Sequence, residues 1–323
     1  MFKHTTILTA LAIGLSASAA MADDQRIHFT ICGGEDWAGD VTAKYIAEWE
    51  GSNPGYFVEP EYIPWGQCQE KATTLAAAGN APALSYLGSR TLAQLSEAGL
   101  IKSFELTDAE KASYAGPVIG TATYKGKIWG VPRAFSSRAM YYNRSLFAEA
   151  GLDPNSPPET WEELLAAAKA ISENTDSDGI GIPGNSTDTT MQIFLGMNYS
   201  NGGAVLDDEG NVVLDSPETL ATMKMWIEAA KYAQPGVAAY GAKQLIPLFA
   251  EGKLGMIFDG PWIRKKVKAV DYATAFFPHG PSGSHSSFLV TDSYAVFKGT
   301  GLEEQAESLA KLLTAPKAQL EFD

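Results

Sequence analysis

Several spacings in this chain invite a chemical reading, and each can be held against what its chemistry requires. Gly179-Ile-Gly-Ile-Pro-Gly184 has the spelling of a dinucleotide phosphate loop. Its glycines fall within an apparent strand rather than after one, and Pro183 removes a backbone donor that a pyrophosphate needs, so no nucleotide cofactor is expected. Asn174, Asp176, Asp178 and Gly179 match the first half of a calcium loop, but Asn185 stands where a bidentate Glu is required. A turn between helix and strand is the better reading. The pairs Glu162–Glu163 and Asp207–Asp208 read as solvated faces, no Gly-x-Ser-x-Gly elbow is present, and no catalytic constellation stands out. Histidines at 4, 28, 279 and 285 and the two cysteines form no zinc or iron–sulfur spacing, so no metal is expected. Cys32 and Cys68 follow the first two predicted strands; an oxidising compartment permits a bridge, and the sequence leaves its formation open.

The elements that must position any site are clearer. With 323 residues, 45% of them hydrophobic, the chain can bury a sizeable core, and its length favours two lobes over one. The balance of 24 Lys and Arg against 38 Asp and Glu, a formal charge of −14, is the opposite of a nucleic-acid binder's basic surface. Residues 1–22 have the parts of a secretory signal: Lys3 and His4, an apolar run over 7–15, and the small-residue site Ala20-Met21-Ala22. Cleavage is expected before Asp23, leaving an exported protein that is not inserted in the membrane. From Arg26, strands over 26–32, 56–63 and 83–87 alternate with helices over about 41–49 and 70–78, the pattern of a mostly parallel sheet covered on both faces. A second series follows. Thr160 and Glu163 form a capping box for a helix ending near Ile171, Ser216-Pro217 starts a helix through Tyr232, and strands are predicted over 179–182, 254–258 and 274–277. The irregular stretches 130–137 and 278–287 flank this series and suggest two chain crossings between lobes.

Three segments in order move the reading toward function. They are Gly126-Lys-Ile-Trp-Gly-Val-Pro-Arg-Ala-Phe-Ser-Ser-Arg-Ala-Met-Tyr-Tyr-Asn143, then Pro158-Glu-Thr-Trp-Glu-Glu-Leu-Leu165, then Phe249-Ala-Glu-Gly-Lys-Leu-Gly-Met-Ile-Phe-Asp-Gly-Pro-Trp262. From about Arg26 to its end the chain resembles the family 1 extracellular solute-binding proteins, the carbohydrate-binding receptors of ABC importers that include maltose-binding protein. The resemblance implies an α/β fold of two lobes, each a mostly parallel sheet flanked by helices, with a ligand cleft between them. It implies a monomeric periplasmic receptor that has no cofactor and no catalysis, closes on a sugar by hinge bending and delivers it to the permease subunits. The expected division is a first lobe of 23–136 and 278–314 and a second of 137–277 and 315–323, with further C-terminal helices of the relatives lacking a counterpart.

The resemblance also carries expected ligand contacts. A sugar presents hydroxyls at its rim and C–H groups on its faces, so flat rings and fixed donors and acceptors are required. From the first lobe these are Asp36 and Trp37 in the loop 34–37, Trp65 and Gln67, and Ser89 with Arg90. Ser136 falls at the hinge-proximal contact, with Arg138 two residues on along an extended strand. In the second lobe, Asp188, Thr189 and Gln192 begin a helix, and Trp262 matches the family's stacking tryptophan. Core packing is the competing role for Trp37, Trp65 and Trp262, and a structural ion pair for Arg138; Trp49 and Trp226, on apolar helix faces, are expected in the core. The acidic residue that some maltose-binding relatives place at the Ser136 position is absent, so maltodextrin is not assumed. Arg90, Arg133 and Arg138 near one cleft leave open an anionic sugar derivative such as a uronate. A secreted carbohydrate-active enzyme would require Asp188 to oppose Glu35 or Asp36 across the cleft.

Overall fold

The computed structural model describes residues 25–35, 39–207 and 209–322. The expected signal segment and its cleavage site, and the expected contacts Asp36 and Trp37, lie outside the described residues. The first half of the chain runs β1 (Gln25–Cys32), α1 (Gly39–Ser52), β2 (Tyr56–Ile63), α2 (Trp65–Ala77), β3 (Leu84–Gly88) and α3 (Leu92–Glu97). Short pieces follow: α4 (Asp108–Ala112), α5 (Gly116–Thr121), the two-residue strands β4 (Thr123–Tyr124) and β5 (Lys127–Ile128), and β6 (Val131–Ser137). The chain then crosses into β7 (Ala139–Asn143), α6 (Arg144–Glu149), α7 (Trp161–Asn174), α8 (Asp188–Tyr199), α9 (Pro217–Ala229), α10 (Ala242–Ala250), β8 (Met256–Asp259) and β9 (Tyr272–Ala275). It returns through β10 (Leu289–Val296), α11 (Glu303–Leu313) and α12 (Pro316–Phe322).

Two sheets organise these elements. The first has the order β2-β1-β3-β10-β6, parallel across β2, β1 and β3 because helices connect those strands, and antiparallel where β10 enters between β3 and β6. Helices cover both faces, and the central strand β3, Leu-Ser-Tyr-Leu-Gly, is buried throughout. On one face Phe29, Leu84, Tyr86 and Tyr294 pack against Tyr45 and Trp49 of α1 and Leu309 and Leu313 of α11; on the other, Leu87, Ala295 and Phe297 meet Ala72, Leu92 and Leu95. The second sheet, β8-β7-β9, is antiparallel and not the mostly parallel sheet expected of this lobe, because β7, entering from the crossing, runs opposite to both its neighbours. Its alternation is visible in β7, where Met140 and Tyr142 face α7 and α8 while Tyr141 faces Leu245 and Phe249 of α10.

The local signals explain the helix starts. Thr160 and Glu163 exchange the bonds of a capping box at α7, and the Ser216 side chain accepts from the Thr219 N–H ahead of Pro217 at α9. Trp49 is buried as expected, with its indole N–H donating to Ser308. Other expectations are corrected. Helix α2 begins at Trp65, not near Glu70, because Pro64 can serve as its N-cap. Residues 178–182 make isolated bridges to Leu254 and Ala233 instead of a strand, since their backbone groups alternate between two partners. The stretch 131–137 is regular strand. Residues 278–287, expected with the first lobe, pack on the second: His279 exchanges backbone bonds with Glu159 and Trp161, and the Gly280 N–H donates to Ser200. Residues 316–322, expected with the second lobe, belong to the first, where Ala318 is buried in the α1 core and the Phe322 ring lies 3.8 Å from the Arg133 guanidinium. Trp226 is only half-buried. It meets Phe194 edge-on, and with Met191, Ile227 and Val237 it lines an apolar groove of about 630 Å3 on the second lobe.

Cys32, at the end of β1, is bonded to Cys68 on α2, with Cα atoms 5.4 Å apart, and both are buried. The bridge closes a loop across a sequence separation of 36. Reduction, or the Cys32→Ala/Cys68→Ala double variant, is expected to lower unfolding free energy by about 3–4 kcal/mol, read from urea melts with and without reductant. An unchanged midpoint under reducing conditions contradicts this.

Candidate functional site

The two lobes meet where β6 passes into β7. Arg138 is the single residue between those strands, and its carbonyl accepts from the Ser287 hydroxyl at 2.6 Å, tying the first crossing to the return path. The residue is only 5% exposed. A buried cation requires partners, and a chain of them extends across the junction. One terminal nitrogen of Arg138 donates to the side-chain oxygen of Gln192; the Gln192 amide nitrogen donates to Asp188 at 3.0 Å. Asp188 in turn accepts from Arg90 at 2.5 Å, and Arg90 belongs to the other lobe. This last pair is partly solvated and contributes no more than about 1 kcal/mol, so it joins the lobes without locking them.

On the other side of Arg138 stands Trp262, its ring 4.4 Å from the guanidinium carbon and 43% exposed. The ring can lie there because residue 260 is Gly: a Cβ at that position would stand 2.1 Å from the indole. Arg90 has the same arrangement with Gly88, where a Cβ would meet its guanidinium at 2.1 Å. Asp259 and Asp292 complete the cluster, one from each lobe. Asp259, at the end of β8, accepts from the Gly260 N–H at 2.7 Å. Burial pushes its carboxyl up to about 6, against the opposing pull of that bond and of the Arg138 charge. Asp292, on β10 opposite Gly88 and Ala134, takes a long 3.4 Å bond from the Tyr86 hydroxyl. Burial likewise pushes it up to about 6, with Arg90, Arg138 and Arg133 favouring its charged form. Burial lowers the Arg138 pKa, opposed by Asp259, Asp292 and Asp188.

Of the residues expected to contact ligand, Arg90, Arg138, Asp188, Gln192 and Trp262 are brought together here. Ser136, half-buried and paired with Val290, lies two residues before Arg138 on β6, and Thr189 is half-exposed beside Asp188. Trp65 is half-buried at the rim of the first lobe, edge-on to Tyr86 at 6.0 Å, and Gln67 is exposed on the same helical turn. Ser89 is turned inward: the residue is 2% exposed and its hydroxyl is bonded to that of Ser293 at 2.7 Å, so its first commitment is to the sheet. Arg138 was weighed against a structural ion pair, yet the only side chain it donates to is Gln192 among the bonds of the described residues. Asp188 accepts from both Arg90 and Gln192 through one carboxylate oxygen, Oδ2. Asp259 and Asp292 were not singled out in the sequence. The available signal was a charged residue within an otherwise apolar strand end, Met-Ile-Phe-Asp259 and Val-Thr-Asp292-Ser-Tyr-Ala-Val. Among the described residues, no group of three or more His, Cys, Asp or Glu side chains is placed to hold a metal ion.

Two α/β lobes, joined by crossing segments and sharing a polar cleft with an exposed tryptophan, define a two-lobed cleft-binding protein. Comparison with known proteins gives the family: residues 38–320 match bacterial extracellular solute-binding proteins, and the chain belongs to that family. It is similar to a binding protein of Brucella abortus, 31% identical over 92% of this chain and 74% of the relative. A solute-binding protein of an ABC transporter from Thermotoga lettingae, solved with bound α-D-tagatose, has a TM-score of 0.79 and 26% identity over 92% of this chain and 79% of that one. The maltose-bound MalE3 protein of Thermotoga maritima has a TM-score of 0.77 and 25% identity over 91% and 78%. Among the described residues no helix is long and apolar enough to cross a membrane.

The raised carboxyl of Asp259 has a thermodynamic sign. Between about pH 4 and 6 the folded protein holds this proton more tightly than the unfolded chain, so the group's contribution to stability falls as pH rises through that window. Asp259→Asn removes the effect. Its stability relative to the parent should rise by about 3 kcal/mol between pH 4 and pH 7, measured by urea melts at both. A pH-independent difference between the two proteins would show that Asp259 is not held in a desolvated state.

Proposed function

We propose that this protein is the sugar-binding receptor of an ABC importer, exported to the periplasm, which closes its lobes on a carbohydrate and presents it to the permease. The observation that carries the reading is the half-exposed Trp262 ring at the lobe junction, held over Gly260 with Arg138 behind it. A flat apolar ring beside buried hydrogen-bonding groups suits the faces and rim of a sugar. The tagatose and maltose in the relatives' structures, and the diacetylchitobiose-binding protein of Streptomyces coelicolor at 23% identity over 88% of this chain, support a carbohydrate ligand. Catalysis is not part of the proposal. The Arg90–Asp188 contact supports hinge closure, because it is a weak interlobe bond formed by residues that would also face the ligand.

Two measurements test this. In a thermal-shift panel of sugars and polyols, a ligand at about 1,000 times its Kd should stabilise by roughly 4 kcal/mol. Trp262→Ala should weaken binding of that ligand by about 1.5 to 3 kcal/mol, or 10- to 150-fold, with little change in melting temperature. Loss of folding with normal affinity would remove Trp262 from the site. Small-angle scattering should show a smaller radius of gyration with ligand than without, and Arg90→Ala should enlarge the ligand-free value. A response to amino acids or peptides and to no sugar would overturn the substrate class.

A further inference from the structure

Resting on the sugar-receptor reading, the charges and unpaired atoms of the cleft narrow the ligand further. We propose that Arg138 and Asp292 read hydroxyl groups of a neutral sugar or polyol, Arg138 as donor and Asp292 as acceptor, and that Asp292 with Asp259 excludes acidic derivatives. Three observations lead there. First, Nε and Nη1 of Arg138 and Oδ1 of Asp292 are buried without a hydrogen-bond partner among the described residues. Buried donors and acceptors left unpaired are costly, and here they belong to the crossing itself and to β10, the strand paired with β6 beside it, while the two charged groups attract one another. Second, the guanidiniums of Arg90, Arg133 and Arg138 lie among three carboxylates, Asp188, Asp259 and Asp292, with Lys266 also acting on Asp259, so most of the positive charge is compensated before any anion arrives. Third, the Arg138 guanidinium already has one face toward Trp262, and Asp259, beside that ring, holds its own backbone bond.

A hydroxyl donates and accepts through a single oxygen. It can give its proton to Asp292 Oδ1 and take a hydrogen bond from Arg138. A uronate carboxylate only accepts. It would satisfy Arg138 but leave Asp292 unpaired, and it would stand beside two buried negative charges, which is the repulsive element that specificity requires. The group of arginines, which in the sequence alone left an anionic sugar open, is thus set among carboxylates by the fold. Asp292 is thereby a specificity-determining residue supplied by the returning strand β10, separate in sequence from every expected contact.

The test is isothermal titration of the parent protein and two variants, Asp292→Asn and Asp259→Asn, with maltose, D-tagatose, D-mannitol and D-glucuronate at pH 7.5. The parent should bind at least one neutral compound and bind glucuronate about 100-fold more weakly or worse. Asp292→Asn should weaken the neutral ligand by about tenfold or more and narrow the gap to glucuronate to within about tenfold. Asp259→Asn removes the same charge but an acceptor that is already engaged, so it should narrow the gap at a smaller loss of neutral affinity. Equal behaviour of the two variants would reduce the effect to charge alone and overturn the hydroxyl assignment, as would an Asp292→Asn protein with parental affinity and selectivity. If Asp292→Asn does not fold, Arg138→Lys tests the donor half, with a loss of about tenfold or more in neutral affinity expected and parental affinity overturning the proposal. Glucuronate binding the parent as tightly as any neutral compound overturns this inference and leaves the sugar receptor standing; silence of all four compounds overturns both.

Discussion

Everything at the lobe junction follows from the burial of one guanidinium. Arg138 occupies the single position between a strand of the first sheet and a strand of the second, and a cation in that place must be answered by its surroundings. Gln192, Asp188 and Arg90 answer it in series, Asp259 and Asp292 by charge, and Trp262 with the face of its ring. The result is a polar seam whose members come from both lobes. An apolar residue at 138 would leave the Gln192 side-chain oxygen without its donor, two carboxylates more exposed to their own desolvation cost, and the tryptophan without a backing.

The seam can open because neither lobe relies on it for a core. Each sheet is covered on both faces by its own helices, and the four clusters of buried side chains divide two and two between the lobes. Among the contacts that join the lobes in the described residues are the pair of crossings at Arg138 and near Phe288, the bond from Ser287 to the Arg138 carbonyl, and the partly solvated pair of Arg90 and Asp188. A rigid pair of bodies with thin connections is the physical requirement for closure about a hinge.

How much of this was legible in the sequence depended on the range of the interaction. Helices α7 and α9 were readable because Thr160, Glu163, Ser216 and Pro217 act within one turn, and Trp49 because its helix face repeats locally. The alternation of strand and helix gave the two-lobed α/β architecture, and the motif around Gly260-Pro261-Trp262 pointed to the ring. Some failures are local, as at the start of α2 and at Trp226, while those of lobe assignment are long-range. Residues 316–322 reach the first lobe through Arg133 stacking on Phe322, some 190 positions apart, and residues 278–287 stay with the second through backbone bonds to Glu159 and Ser200. Ser89 had the right type and place but was claimed by Ser293, and Asp292 looked like a polar interruption in a strand until the fold set it between arginines.

Gly88 and Gly260 carry a consequence for how this cleft can diversify. Each supports a long, flat side chain two positions away by lacking the one carbon that would collide with it. The orientation of Arg90 and Trp262 is therefore written partly in residues with no functional group at all. Within this fold, variation in the groups that meet a ligand is open to the side chains at 90 and 262, whereas a methyl group beneath either would reorient the reader instead of changing the letter. Divergence toward new ligands is thereby channelled into side-chain replacement over a preserved bare backbone, and the two glycines become a constraint on the lineage rather than on any one ligand.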